Sequence, residues 1–116
     1  MVENSRFERC HSNNGGAIIS KNTETHIKTS QFTENIAKIK GGAVFLTCEK
    51  SHLKGCPSHF ESTTFELNEA GIQGGGIDYD LHPPTIASSV IFTNNVAQSG
   101  YGNDIASYAA YMTYTN

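Results

Sequence analysis

Short apolar clusters recur along this chain between stretches rich in Asn, Ser, Thr and Gly. One phenylalanine stands in each of four units, at Phe7, Phe32, Phe65 and Phe92, at intervals of 25, 33 and 27 residues. Each is followed by a glycine-led cassette: Gly15-Gly16-Ala17-Ile18, Gly41-Gly42-Ala43-Val44, Gly74-Gly75-Gly76-Ile77, and the degraded Gly102-Asn103-Asp104-Ile105. Behind the cassettes, apolar and polar residues alternate, which predicts short strands. A cassette repeated every few tens of residues marks a fold built by stacking one unit on the next. The predicted architecture is all-β: a parallel solenoid with coils near 2–20, 27–47, 60–80 and 87–107, together a repeat region over 1–107. A helix over 34–40 is too short to stand alone, and the matching place in the third unit contains Gly71.

The columns of this alignment have physical roles. Phe7, Phe32, Phe65 and Phe92 stack as one apolar column. Asn35, Asn68 and Asn95 follow three residues later. Asn tolerates the left-handed backbone of a tight turn, and stacked Asn amides bond one another along a ladder. Ala37, Ala70 and Ala97 are small enough for a corner. The pairs Gly15-Gly16, Gly41-Gly42 and Gly74-Gly75 form a second corner, where positive φ or close backbone approach excludes a Cβ. Strand alternation turns Ile18, Val44, Ile77 and Ile105 inward, with Ser20, Leu46 and Tyr79 on the same face. It turns Ile19, Phe45 and Asp78 outward. Insertions gather after the strands, above all at 48–57, as solenoids allow.

Composition narrows the function classes. Tryptophan is absent and the formal net charge is −3, which leaves no electrostatic footprint for nucleic acid. No apolar run has the length of a membrane span. The first residues carry no apolar stretch and do not form a secretory signal. No cofactor motif is present.

The pattern Phe32-Thr-Glu-Asn35-Ile-Ala37 with Gly41-Gly42-Ala43-Val44 resembles the repeats of chlamydial polymorphic outer membrane proteins, which also occur in large protist surface proteins. The third unit follows it with Gly76 in place of Ala, the fourth follows it over Phe92-Thr-Asn-Asn95-Val-Ala97 and then departs, and 101–107 is similar to the closing stretch of such regions in ciliate surface proteins. The first unit departs from it, with Cys10 in the Asn position and one residue fewer before the glycines. The resemblance implies a right-handed parallel β-helix of the pectin-lyase-like type, surface exposure and adhesion. It favours a Cys48–Cys56 disulfide closing the inserted loop, against two free thiols. Zinc held by Cys48, His52, Cys56 and His59 has the right elements at a spacing that matches no common site. Cys10 is left over and reads as a small structural hydrophobe at a corner.

Asp78 and Asp80 lie two apart on one strand and form the candidate ligand site. Paired carboxylates on a β-helix suit acidic-sugar hydrolysis or lysis, but a hydrolase needs two carboxyls at a set separation and a lyase needs several oxygen ligands for calcium. A solvated outer face is the reading adopted. His11, His26, His52, His59 and His82 fall in or beside loops with no nucleophile at a suggestive spacing. Lys38, Lys40, Lys50 and Lys54 make a mild basic face. Asp104 replaces an Ala of its column and is positioned to cap the last coil. The segment 108–116, with Tyr108, Tyr111 and Tyr114, reads as a C-terminal cap.

The expected role is a non-catalytic structural or adhesive module within a larger cell-surface or filament assembly. The first unit begins at Val2, aligned with Ile27, Phe60 and Ala87, without a polar N-terminal cap. A protein partner or self-association through that open coil is expected, with the chain as one part of the assembly. A carbohydrate-binding or carbohydrate-active β-helix and an intracellular scaffold subunit are the alternatives.

Overall fold

The computed structural model describes residues 1–48, 56–80, 83–99 and 102–107. Four successive coils each supply four short strands. The first coil contains β1 (Val2–Glu3), β2 (Arg6–Glu8), β3 (His11–Asn14) and β4 (Ile18–Lys21). The second contains β5 (Thr25–Lys28), β6 (Gln31–Thr33), β7 (Ile36–Lys40) and β8 (Val44–Thr47). The third contains β9 (Ser58–Glu61), β10 (Thr64–Glu66), β11 (Glu69–Ala70) and β12 (Ile77–Tyr79). The fourth contains β13 (Thr85–Ile86), β14 (Ile91–Thr93), β15 (Val96–Ala97) and β16 (Ile105–Ser107). Like strands of successive coils pair in parallel, giving four sheets: A (β1-β5-β9-β13), B (β2-β6-β10-β14), C (β3-β7-β11-β15) and D (β4-β8-β12-β16). The chain is an all-β parallel β-helix of four coils.

The register aligns the repeated columns. Phe7 pairs with Phe32, Phe32 with Phe65, and Phe65 with Phe92. Their rings stack at 4.9, 4.8 and 5.0 Å, within 9° of parallel. Ile18, Val44, Ile77 and Ile105 form the matching inner column of sheet D. Sheet A contributes Ile27 and Phe60, both sealed from solvent, and the Phe60 ring tilts against Phe65. Phe32, Phe65, Val44 and Ile77 are wholly buried in the middle coils, whereas Val2, Phe7 and Ile18 in the first coil are half-buried.

Three details differ from the sequence reading. The fourth unit enters the register at Ile86, not Ala87: Ile86 pairs with Phe60, and Val90 N–H closes a turn onto Ala87 C=O that takes up the extra residue. The left-handed residues of the sheet B–C corner are Arg9, Glu34, Leu67 and Asn94, each one position before the ladder column. Asn35, Asn68 and Asn95 therefore aim their amides into the stack instead of making the turn themselves. The missing residue of the first unit appears as a register shift between Ser12 and Asn14, against Ala37 and Lys40.

At the sheet C–D corner the two glycines do different work. Gly41 has φ +66°, which an L side chain rarely adopts. Gly42 has an ordinary φ, but a Cβ there would lie 2.1 Å from the Gly75 carbonyl oxygen of the next coil. Gly42 N–H donates to Gly74 C=O at 2.9 Å, so coils touch through backbone alone at this edge.

Candidate functional site

Polar chemistry in this chain is concentrated at the corners. Each ladder Asn sits directly after a left-handed residue, which lets one side chain serve two coils. Asn68 Oδ1 accepts Asn35 N–H at 3.0 Å and an Asn35 Nδ2 hydrogen at 2.9 Å. Asn68 Nδ2 donates to Asn95 Oδ1 at 2.9 Å and to Phe32 C=O at 3.0 Å. Asn35 and Asn95 repeat the bond to the preceding Phe carbonyl, on Phe7 and Phe65. Asn35, Asn68 and Asn95 are all buried. An unpaired amide here would cost the full desolvation of its polar atoms, and among the described residues no buried side-chain nitrogen or oxygen lacks a partner.

Both ends of this column are substituted. Cys10 takes the first position, gives its N–H to Asn35 Oδ1 at 3.0 Å, and sets its thiol 3.8 Å from Glu8 C=O. It is half-buried. At the other end Asp104 Oδ1 receives Asn95 Nδ2 at 3.3 Å, and Asn103 Oδ1 receives Ala97 N–H at 3.0 Å. Asp104 thus supplies the acceptor for Asn95 Nδ2 that a fifth Asn would have brought, and Asn103 takes up a backbone N–H two residues further on. A second polar column went unread in the sequence. Ser5, Ser30 and Thr63 each donate a hydroxyl to the carbonyl two residues earlier, at 3.0, 3.0 and 2.8 Å. Its signal was a hydroxyl residue two before Phe7, Phe32 and Phe65.

Asp78 is not on a solvated face. It lies on β12 in register with Phe45 and Ala106 and is only 1% exposed. Gln73, at the preceding corner, folds over it and donates Nε2–H to Asp78 Oδ1 at 2.7 Å, with Ser107 C=O 3.5 Å from the same nitrogen. Burial pushes the Asp78 carboxyl up to about 6, partly offset by the Gln73 hydrogen bond and the Lys40 charge and reinforced by Asp80. Asp80 does separate work: its carboxylate accepts the Thr47 hydroxyl and the Cys48 N–H, the latter at 3.0 Å, and so ties coil three to the end of β8. The two carboxylates therefore do not converge on a shared external ligand position.

Cys48 and Cys56 are joined by a disulfide with Cα atoms 5.9 Å apart. Beside it, Ser20, Thr25 and Ser58 are buried, and the Ser20 and Thr25 hydroxyls bond each other. The disulfide withdraws both sulfurs from the zinc set considered above. His52 and His82, with Lys50 and Lys54, lie outside the described residues, as do Tyr108, Tyr111 and Tyr114 of the expected cap. His26 and His59 are not in loops: they sit on β5 and β9 as a paired, stacked couple on the outer face of sheet A. An open groove of about 390 Å³ runs along the sheet B–C corner, lined by Arg9, His11, Glu34, Ile36, Leu67 and Glu69. Arg9 there is held between Glu8 and Glu34 at 3.6 and 3.7 Å.

No family model matches the chain, and neither a curated protein nor a solved structure matches it. Among the described residues, no helix is long and apolar enough to cross a membrane, which does not bear on β-barrels.

Proposed function

We propose that this chain is a non-catalytic structural module, a β-helical segment of a larger cell-surface or filament assembly. The observation that carries the reading is the use made of Asp78 and Asp80. The carboxylate pair with a spacing suited to sugar chemistry is engaged inside the fold, Asp78 sealed under Gln73 within the third coil and Asp80 tying that coil to Thr47 and Cys48. The Cys48–Cys56 bond supports an oxidising, extracellular setting. The repeat resemblance supports surface exposure and adhesion. β1, β2, β3 and β4 are the outer strands of their sheets, and half-buried Val2, Phe7 and Ile18 line that edge. Such an edge presents unpaired N–H and C=O groups to which a further strand can add.

The test is solution mass against concentration, by light scattering on the oxidised chain. Reversible association through the micromolar range is expected, and a well-folded monomer throughout that range removes the assembly reading. A panel of acidic polysaccharides tests the enzymatic alternative. Cleavage abolished by Asp78→Asn with Asp80→Asn would replace the structural reading.

A further inference from the structure

The outer face of sheet A carries chemistry that the repeat does not use. His26 and His59 are directly paired on neighbouring parallel strands. Their rings stack with centroids 4.9 Å apart and planes 22° from parallel. The spacing follows from the sheet itself, since parallel neighbours lie about 4.8 Å apart. Glu24, in the turn entering β5, places Oε1 2.7 Å from His26 Nε2. The side chains of His26 and Glu24 are 40% and 61% exposed, and His59 is exposed. Lys28, on the same face of β5, is drawn to Glu61 at 3.9 Å. Two imidazoles and a carboxylate on an open surface are the donors that a borderline divalent ion prefers.

We propose that His26 and His59, with Glu24, form a surface site for a divalent transition ion of the zinc type, bridging the second and third coils. Among the described residues no three such side chains stand ready-made around one ion. The site assembles instead by tilting exposed rings. Zinc–nitrogen bonds of about 2.0–2.1 Å in tetrahedral geometry set two ring nitrogens about 3.4 Å apart. Nearly parallel rings carry their nitrogens about as far apart as their centroids. Their lone pairs lie side by side, so each ring must tilt by tens of degrees to aim its nitrogen at a shared ion, and it does so against solvent and not against packed core. Glu24 already faces His26 Nε2, so its carboxylate becomes the third ligand on a small shift, and water completes the shell. Binding then adds a coil-to-coil clamp beside the backbone ladder, the ring stack and the Lys28–Glu61 pair.

Calorimetric titration of the full oxidised chain with Zn²⁺ tests this, using wild type, His26→Ala, His59→Ala, Glu24→Gln and His11→Ala. All four positions are exposed or half-buried at the surface, and circular dichroism of the metal-free variants checks that the fold persists. One saturable site is expected in wild type and in His11→Ala. Its affinity falls by about tenfold or more in either His26→Ala or His59→Ala and by a smaller factor in Glu24→Gln. Zinc at a fixed concentration should also raise the melting temperature of wild type and His11→Ala by more than that of the two histidine variants. Unchanged affinity in His26→Ala or in His59→Ala overturns the proposal, as does the absence of saturation in wild type at millimolar zinc.

Discussion

Replacing Asp78 by Asn should stabilise this protein at neutral pH and leave it unchanged in acid. The side chain is 1% exposed, and its carboxyl titrates at about 6 instead of 3.8, chiefly because burial penalises the anion. An acid whose folded pKa is raised is bound more tightly to its proton in the native state. Its stabilising contribution is complete below the unfolded pKa, and it is lost as pH rises through the folded one. The difference between about 6 and 3.8 corresponds to about 3 kcal/mol at one pKa unit per 1.36 kcal/mol. Asn keeps an acceptor for Gln73 Nε2, occupies nearly the same volume and carries no charge. It forfeits the attraction of Lys40 and must seat its own NH₂, so a net gain of about 1–3 kcal/mol is expected above about pH 7. Denaturant titrations of wild type and Asp78→Asn at several pH values measure it. Wild-type stability should fall between about pH 4 and pH 7, the variant should be flatter, and the two should converge near pH 4. A difference independent of pH, or a variant less stable than wild type above pH ~7, would refute the buried-anion argument.

Asn68→Ala should cost at least about 3 kcal/mol, because it strips partners from Asn35 N–H, the Asn35 amide and Phe32 C=O inside the stack; urea unfolding reads it. Gly42→Ala should cost more than about 4 kcal/mol or prevent folding, since its Cβ would sit 2.1 Å from a backbone oxygen that cannot move without parting the coils, and soluble yield with circular dichroism is the check. Cys48→Ser with Cys56→Ser, which opens a short loop spanning a separation of 8, should lower stability by about 2–3 kcal/mol while the far-ultraviolet spectrum stays that of the β-helix.

The repeat was legible because a solenoid uses each position the same way in every coil. Phe7, Phe32, Phe65 and Phe92 could be aligned without any structure, and the strand register follows that alignment. What failed were features that no repeated residue type marks. Alternation turns Asp78 away from the core, but says nothing of Gln73 closing over it from the adjoining corner. Position 9 and its equivalents hold Arg, Glu, Leu and Asn, so residue type does not reveal the left-handed corner that Arg9, Glu34, Leu67 and Asn94 share. The one-residue offset at Ile86 was hidden because Val90, where Ser30 and Thr63 would lead one to look for a hydroxyl, follows an extra turn residue. The His26–His59 couple was within reach: each immediately precedes the residue, Ile27 or Phe60, that opens its unit.

The amides of the Asn column all point one way. Each Oδ1 faces the coil before it, and one hydrogen of each Nδ2 faces the coil after it. Their dipoles add along the axis, with the positive end at the fourth coil, where the Asp104 carboxylate receives it. The solenoid therefore has an electrical sense as well as a chain direction. A coil inserted whole would extend this line of dipoles, whereas one laid in reverse would set donor against donor at its core.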